Sequence, residues 1–147
     1  MSNVYLDSSV LIASQIENHP FHSKAKDFLT KLHDQNCVFC ISPLAIDECI
    51  YVFFKYQRTG YLGGTVDIRI ALKRITYLSP MYINIVWEES ALFSIYKLIR
   101  KYSLKSRDAF HLQTMQDNVI EYIATFDTDF TKLFEHNMVK SAEELLR

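Results

Sequence analysis

The fold is decided by a stretch near the N-terminus, VYLDSSVLI, which covers residues 4–12. Its first three residues are typical of a short buried strand, and that strand is predicted to end at Asp7. Ser8 and Ser9 then form a polar turn before a second apolar run, which predicts a helix. A strand, a polar turn and a helix in this order form the first unit of an α/β protein.

Outward from this stretch, apolar runs of strand length alternate with runs of helical periodicity. Further strands are predicted at residues 37–41, 82–86 and 122–125, with a candidate fifth strand near residues 138–139. Helices are predicted over residues 20–34, 43–59, 66–77, 88–102 and 104–116, followed by a short helix and a C-terminal helix from Ser141. This alternation predicts a three-layer α/β/α sandwich around a central parallel β-sheet of four or five strands.

Length and composition set the limits of this prediction. The 147 residues predict a single domain spanning residues 1–147, and a hydrophobic share of 49% predicts a packed core. The net charge of −1 gives no basic excess of the kind that marks many nucleic-acid-binding proteins. Three cysteines suit neither a disulfide framework nor a Cys₄ zinc site, so a reducing, cytoplasmic setting is expected. Because the longest apolar stretches fall well short of the ~20 residues of a membrane span, no membrane association is expected.

Acidic residues follow two of the predicted strands. Asp7 ends the first strand, and Asp127 lies in the polar turn after the fourth strand, with Asp129 two residues further on. In a parallel sheet the carboxyl ends of the strands share one edge, and ligands of α/β proteins bind outside that edge. Asp7 and Asp127 are therefore expected at one cleft, with Asp129 nearby.

A third acid interrupts an apolar helix face. Leu44, Glu48 and Val52 are spaced by four and share one side of the helix that follows the second strand. A carboxylate on such a face is costly unless something pairs with it. Asp47 lies on a neighbouring apolar line, so periodicity alone does not choose between Asp47 and Glu48.

The helix near residues 104–116 repeats this anomaly. Leu104, Asp108 and Leu112 form a stripe at intervals of four, and the acid is its one polar member. His111 lies one turn beyond Asp108 and could approach the same site. A single histidine on a mostly apolar helix is more often structural, so His111 is not predicted to be a site residue.

Each of these acids also has a purely structural explanation, as a helix cap, a turn residue or the partner of a buried arginine. Taken together they indicate a metal site, because several carboxylates in one place repel each other without a counter-charge. A hard divalent cation with oxygen ligands, Mg²⁺ or Mn²⁺, is the natural counter-charge. Such a cation at a strand-end cleft suits phosphoryl chemistry, in which it activates water and neutralises charge on the phosphate.

Four stretches that contain these acids resemble motifs of the PIN domain family, and especially of its small VapC-type toxin branch. They are VYLDSSVLI at residues 4–12, ISPLAIDE at residues 41–48, LKSRDAFHL at residues 104–112 and IATFDTDF at residues 123–130. They resemble a strand ending in Asp, a helix carrying a Glu, a helix with Asp followed by Ala, and a Thr-x-Asp-x-x-Phe ending. The matches follow the order of the family and cover nearly the whole chain.

The resemblance implies a PIN-type α/β/α fold and RNA cleavage that depends on Mg²⁺ or Mn²⁺. By their positions in these motifs, Asp7, Glu48 and Asp108 would be the core metal-binding acids. The match to the family's helix favours Glu48 over Asp47. Asp127 would be the fourth acid, and Asp129 would add an outer contact. The sequence leaves open which of Asp127 and Asp129 is the closer ligand, and whether one or two ions bind.

The same resemblance implies supporting polar groups. Thr125, together with Ser8 or Ser9, would orient carboxylates or metal-bound water. Ser9 stands where many relatives have Asn, a longer hydrogen-bonding residue. Basic side chains around the cleft would position the RNA backbone. Lys105, Arg107 and Arg58 are the candidates, although solvated surface charge is the more common role for any one of them.

The resemblance also implies partners: an RNA substrate, an antitoxin protein if the chain is the toxin of a toxin–antitoxin pair, and a second copy in a homodimer. Two other functions stay open. One is a catalytically silent PIN-like module that binds RNA or protein, and the other is a metal phosphohydrolase for small molecules. The chain lacks an Asp-x-Asp pair after the first strand, which counts against a phosphatase with an aspartyl nucleophile.

Overall fold

The structure is a computed structural model that describes residues 1–64, 66–78 and 80–147. Five strands form one sheet in the order β3-β2-β1-β4-β5, and every neighbouring pair is parallel. The strands are β1 (Asn3–Leu6), β2 (Val38–Ile41), β3 (Met81–Tyr82), β4 (Tyr122–Ala124) and β5 (Lys140–Ser141). The first strand lies at the centre, so the stretch that opens the sequence also organises the sheet.

Seven α-helices cover the two faces of the sheet within the described ranges. They are α1 (Ser8–Gln15), α2 (His22–Asp34), α3 (Pro43–Thr59), α4 (Ile68–Thr76), α5 (Glu89–Tyr102), α6 (Ser106–Asp117) and α7 (Thr131–Glu135). Short 3₁₀ turns lie at Tyr61–Gly64, Thr128–Phe130 and Ala142–Leu146. None of the helices in these ranges has the length and apolar character needed to cross a membrane.

Two apolar clusters show how the layers pack. Val4 and Leu6 of β1 face α1 to α4, whereas Tyr5 points to the opposite side and packs with residues of α5, α6 and α7. This split follows from the alternation of side chains along a strand. A central strand buried on both faces explains why VYL is apolar throughout. The predicted α/β/α sandwich with a parallel sheet is confirmed.

The start and end of α3 follow from local chemistry. Ser42 is the N-cap, and its Oγ accepts a hydrogen bond from the backbone N–H of Ala45 at 3.2 Å, while Pro43 occupies the first helical turn. Gly60 ends the helix with a left-handed φ of 71°, a conformation that costs glycine little. The helix runs to Thr59, five residues beyond the apolar run that predicts it.

Three edge elements differ from the sequence prediction. The third strand covers only Met81–Tyr82, because only Cys40 and Ile41 of β2 pair with it. The fifth strand is Lys140–Ser141 rather than residues 138–139. The residues after Ser141 form the 3₁₀ turn Ala142–Leu146 instead of an α-helix. The strands β3 and β5 are only two residues long and lie at the two edges of the sheet, where each pairs with a single neighbouring strand.

Candidate metal centre

Asp7 lies at the carboxyl edge of the sheet, one residue beyond β1. Its backbone N–H donates to the carbonyl of Ala124 at 3.1 Å, which continues the pairing of β1 with β4. Thr125, Phe126 and Asp127 follow β4 directly. Parallel pairing of two central strands therefore brings Asp7 and the loop that contains Asp127 to the same edge.

One carboxylate oxygen of Asp7 is held by two hydroxyl groups. Ser9 Oγ and Thr125 Oγ1 donate to Asp7 Oδ2 at 2.7 Å and 2.8 Å. The backbone N–H groups of Phe126 and Asp127 donate to these hydroxyl oxygens, each at 3.0 Å. The hydroxyl hydrogens are thus free to point to Asp7, a buried residue with 4% of its surface exposed. Among the described residues, Oδ1 of Asp7 accepts no hydrogen bond.

Glu48 comes to this edge from α3. Its Oε1 lies 2.5 Å from Nε2 of His111 on α6, and that nitrogen is 3.9 Å from Asp7 Oδ1. One ligand atom each of Asp7, Glu48 and His111 lie within 4.8 Å of one another. Asp47, the alternative acid on α3, is exposed. The helix therefore turns Glu48 towards the cluster and Asp47 to solvent.

Asp108 occupies the first turn of α6 and is 8% exposed. Burial, together with the negative charges of Asp127, Asp129 and Asp7, raises the pKa of its carboxyl to about 6, although His111 acts in the opposite direction. These charges act on Asp108 because the four acids converge on one region. A nearby cation would stabilise the ionised form of a carboxyl that is surrounded by other negative charges.

Asp127 and Asp129 differ in their surroundings. Asp127 Oδ1 accepts the backbone N–H of Asp129 at 2.9 Å and so caps the turn Thr128–Phe130. Asp129 Oδ2 pairs with Lys105 Nζ at 2.5 Å, and this hydrogen bond lowers the pKa of Asp129. The side chain of Asp129 is 38% exposed. Asp129 therefore forms the outer rim, with Lys105 as its partner.

Two further observations concern His111 and the predicted basic side chains. His111 is predicted to be structural, although it could approach the site, and it is 1% exposed with its Nε2 in direct contact with Glu48. The sequence feature that indicates this position is the spacing of three between Asp108 and His111, which places the two residues on one face of the helix. Of the predicted basic rim, Lys105 binds Asp129, whereas Arg107 and Arg58 are exposed and form no ion pair with an acid in the described part of the chain.

The donor set fits a hard divalent cation. Asp7 keeps one oxygen without a protein donor although it is buried, and Glu48 offers a second carboxylate within reach of it. Carboxylate oxygens are the ligands that Mg²⁺ and Mn²⁺ prefer, and imidazole is also a known ligand of transition metals. A cation here would also relieve the repulsion that, after burial, helps to raise the pKa of Asp108.

Replacing Asp108 with Asn is expected to raise the thermal midpoint of the metal-free protein at about pH 8 and to have no such effect at about pH 4. The Asp108 carboxyl has a pKa of about 6 in the fold against an ordinary value of 3.8, so the folded state holds its proton more tightly. The wild type therefore loses stability as the pH rises from 3.8 to about 6. The Asn variant has no such loss, because its side chain stays neutral. Thermal unfolding in the presence of a chelator measures the difference. An equal effect at both pH values would contradict this account.

Known proteins resemble this chain in sequence and in structure. The family profile described as PIN domain matches residues 4–134. Ribonuclease VapC6 of Methanocaldococcus jannaschii is 28% identical over 148 residues, which cover 90% of this chain and 93% of the relative. The crystal structure of Mycobacterium tuberculosis VapC20, described as a sarcin-ricin loop cleaving toxin, superposes with a TM-score of 0.61 at 16% identity. That match covers 88% of this chain and 94% of VapC20, and at this identity it shows a shared fold.

Proposed function

Because this chain belongs to the PIN domain family, we propose that it is a ribonuclease that hydrolyses RNA phosphodiester bonds with Mg²⁺ or Mn²⁺. The observation that carries the proposal is the convergence of Asp7, Glu48 and His111 within 4.8 Å at the carboxyl edge of the sheet. Metal-dependent cleavage is a function that this set of groups can perform. The relative from M. jannaschii is named a ribonuclease, which agrees with RNA as the substrate.

In this proposal the four acids Asp7, Glu48, Asp108 and Asp127 hold the cation, and Asp129 belongs to the rim. The cation would activate water and neutralise charge on the scissile phosphate. Ser9 and Thr125 fix the Asp7 carboxylate through its Oδ2, so that Oδ1 would be free to bind the cation without reorganisation. Without RNA, Lys105 pairs with Asp129. When RNA binds, Lys105 would contact a backbone phosphate.

A cleft beside Asp127 supports a polymeric substrate. It has a volume of about 340 Å³ and is lined in part by Phe21, Lys24, Thr125 and Phe126. Phe21 is 46% exposed, and Lys24 Nζ lies 5.1 Å from the centroid of the Phe126 ring. An exposed aromatic ring can stack a base, and a neighbouring lysine can contact a phosphate. The cleft would hold a nucleotide that flanks the scissile bond.

Replacing Phe21 with Ala is expected to weaken the binding of single-stranded RNA by about 5-fold or more, because stacking of one base contributes about 1–3 kcal/mol. Lys24→Ala is expected to weaken binding as well. Lys26→Ala is the matched control, since Lys26 is exposed on the same helix but does not line the cleft. Fluorescence anisotropy with a labelled oligonucleotide, in an Asp7→Asn background that prevents cleavage, measures the affinity. Unchanged affinity in both cleft variants would show that RNA does not use this cleft.

The partners implied by the family form a further part of the proposal. The chain would be the toxin of a toxin–antitoxin pair and would form a homodimer. Large exposed side chains just before and within α5, including Trp87, Phe93 and Tyr96, support a protein partner, because such patches on soluble proteins often mark interfaces. Light scattering of the purified chain tests the homodimer, and a monomer at micromolar concentration would count against it.

The activity itself is tested by incubating the purified protein with RNA in Mg²⁺, in Mn²⁺ and in a chelator. Cleavage in the presence of either metal and none with the chelator is expected. Intact RNA in every condition, with RNA or protein binding retained, would favour the silent binding module instead. Hydrolysis of small phosphate esters without RNA cleavage would favour a small-molecule phosphohydrolase.

A further inference from the structure

A buried chain of polar side chains leads away from the candidate metal centre. Glu48 Oε1 contacts His111 Nε2 at 2.5 Å, His111 Nδ1 contacts the Tyr5 hydroxyl at 2.5 Å, and that hydroxyl contacts Ser42 Oγ at 2.6 Å. Tyr5, Ser42 and His111 are each at most 1% exposed. We call these four residues the polar chain. It connects β1, which Asp7 follows directly, with the N-terminus of α3 and with α6, the helices that carry Glu48 and Asp108.

The donors and acceptors of the polar chain can be assigned from their chemistry. An ionised Glu48 only accepts, so Nε2 of His111 carries a hydrogen. A neutral imidazole has one N–H, so Nδ1 accepts and must receive the hydrogen of the Tyr5 hydroxyl. Tyr5 oxygen then accepts from Ser42, whose oxygen also accepts the backbone N–H of Ala45. In this assignment every hydrogen-bond donor of the polar chain faces an acceptor.

We propose that His111 positions Glu48 and is not itself a metal ligand. Its Nε2–H fixes Oε1 of Glu48 and leaves Oε2 for the cation, while Tyr5 and Ser42 fix the ring and its tautomer. This role rests on the proposed metal site. Within the described residues Glu48 accepts a side-chain hydrogen bond from His111 alone. His111 therefore does for Glu48 what Ser9 and Thr125 do for Asp7: each carboxylate has one oxygen held and one left free.

The competing role for His111 is direct ligation through Nε2. It requires a lone pair on Nε2, with the hydrogen moved to Nδ1 and the Tyr5 hydroxyl turned to Ser42. An unprotonated Nε2 at 2.5 Å from Glu48 Oε1 would place two acceptor lone pairs against each other. That separation also leaves no room for an ion between the two atoms, since metal–ligand bonds are themselves about 2 Å long. The geometry favours the donor role.

Tyr5→Phe tests the proposal, because it removes one oxygen and leaves the ring in the core. Mn²⁺ affinity, measured by calorimetry on the full chain, is expected to fall by about 10- to 100-fold, as for other groups that orient a ligand. His111→Ala should lower it similarly, and His111→Gln should restore part of the loss, since its amide can donate to Glu48. Tyr102→Phe is the matched control: Tyr102 is a buried tyrosine whose hydroxyl contacts Met138. It should bind Mn²⁺ like the wild type.

Pulsed electron paramagnetic resonance of bound Mn²⁺ separates the two roles of His111. If the proposal is right, the wild-type spectrum shows no coupling from a directly bound imidazole nitrogen. As a folding control, thermal unfolding should show that Tyr5→Phe is folded at the assay temperature. A directly bound nitrogen signal that disappears in His111→Ala would overturn the proposal. Wild-type Mn²⁺ affinity in a folded Tyr5→Phe or His111→Ala variant would also overturn it.

These outcomes can be told apart from a failure of the proposed function. If Tyr5→Phe weakens Mn²⁺ binding and the wild type cleaves no RNA, the positioning role stands and the ribonuclease proposal fails. If RNA is cleaved and Tyr5→Phe binds Mn²⁺ normally, only the positioning role fails. A wild type that binds no Mn²⁺ contradicts both.

Discussion

Asp7→Asn is expected to lower the rate of RNA cleavage by at least about a thousandfold, which corresponds to about 4 kcal/mol of transition-state stabilisation. The amide oxygen of Asn can still accept from Ser9 and Thr125, which now hold Oδ2 of Asp7. Its NH₂ group then takes the place of Oδ1 and presents hydrogens to the cation. The substitution thus keeps the shape of the side chain and removes both a ligand and a charge.

The measurement is the initial rate of cleavage at saturating Mg²⁺, with circular dichroism and thermal unfolding to show that the variant is folded. Asp27→Asn is the matched control, because Asp27 is an exposed aspartate on α2 that pairs with Lys31 away from the candidate centre. It should change the rate by less than about twofold, as expected for an exposed ion pair of small energy. An Asp7→Asn variant with a tenth or more of the wild-type rate would contradict the role of Asp7.

The second large effect is expected from Glu48→Gln, compared with Asp47→Asn. Glu48→Gln should reduce cleavage by about a hundredfold or more, since it removes a charged ligand from the centre. Asp47→Asn should leave cleavage within about twofold of the wild type, because Asp47 is exposed to solvent on the same helix. Cleavage rates and Mn²⁺ affinities of both variants, measured side by side, check this.

This pair of variants is informative because the two acids are adjacent in the chain and differ mainly in direction. Equal losses in both would indicate a general effect of negative charge on α3 rather than metal ligation. A loss of cleavage in Asp47→Asn alone would make Asp47, rather than Glu48, the functional acid of α3 and would contradict the proposed site.

The sequence predicts the parts of this protein that depend on local pattern. The VYL run and Asp7 predict a buried strand with an acid at its end, and parallel pairing with β4 places Thr125 beside Asp7. The layered fold follows from the same alternation of strands and helices. The choice between Asp47 and Glu48 depends on the direction of α3 relative to the sheet, which periodicity leaves open because both helix lines are apolar.

The sequence does not predict the polar chain, because its contacts join residues far apart. Tyr5 and His111 are separated by 106 positions, and each stands in a run that otherwise looks like ordinary core. Their pairing depends on how α6 packs against β1, a tertiary arrangement with no local signal. Likewise, the ends of the short strands β3 and β5 depend on which residues of β2 and β4 have partners, rather than on their own composition.

The most direct test of the account measures Mn²⁺ binding and RNA cleavage in the same samples. Free Mn²⁺ is quantified by electron paramagnetic resonance while the cleavage rate is recorded at each Mn²⁺ concentration, for the wild type and for Asp7→Asn. The account predicts that occupancy and rate rise together in the wild type and that Asp7→Asn shows neither at the same concentrations. Cleavage that persists in a chelator, or that is undiminished in Asp7→Asn, would contradict it.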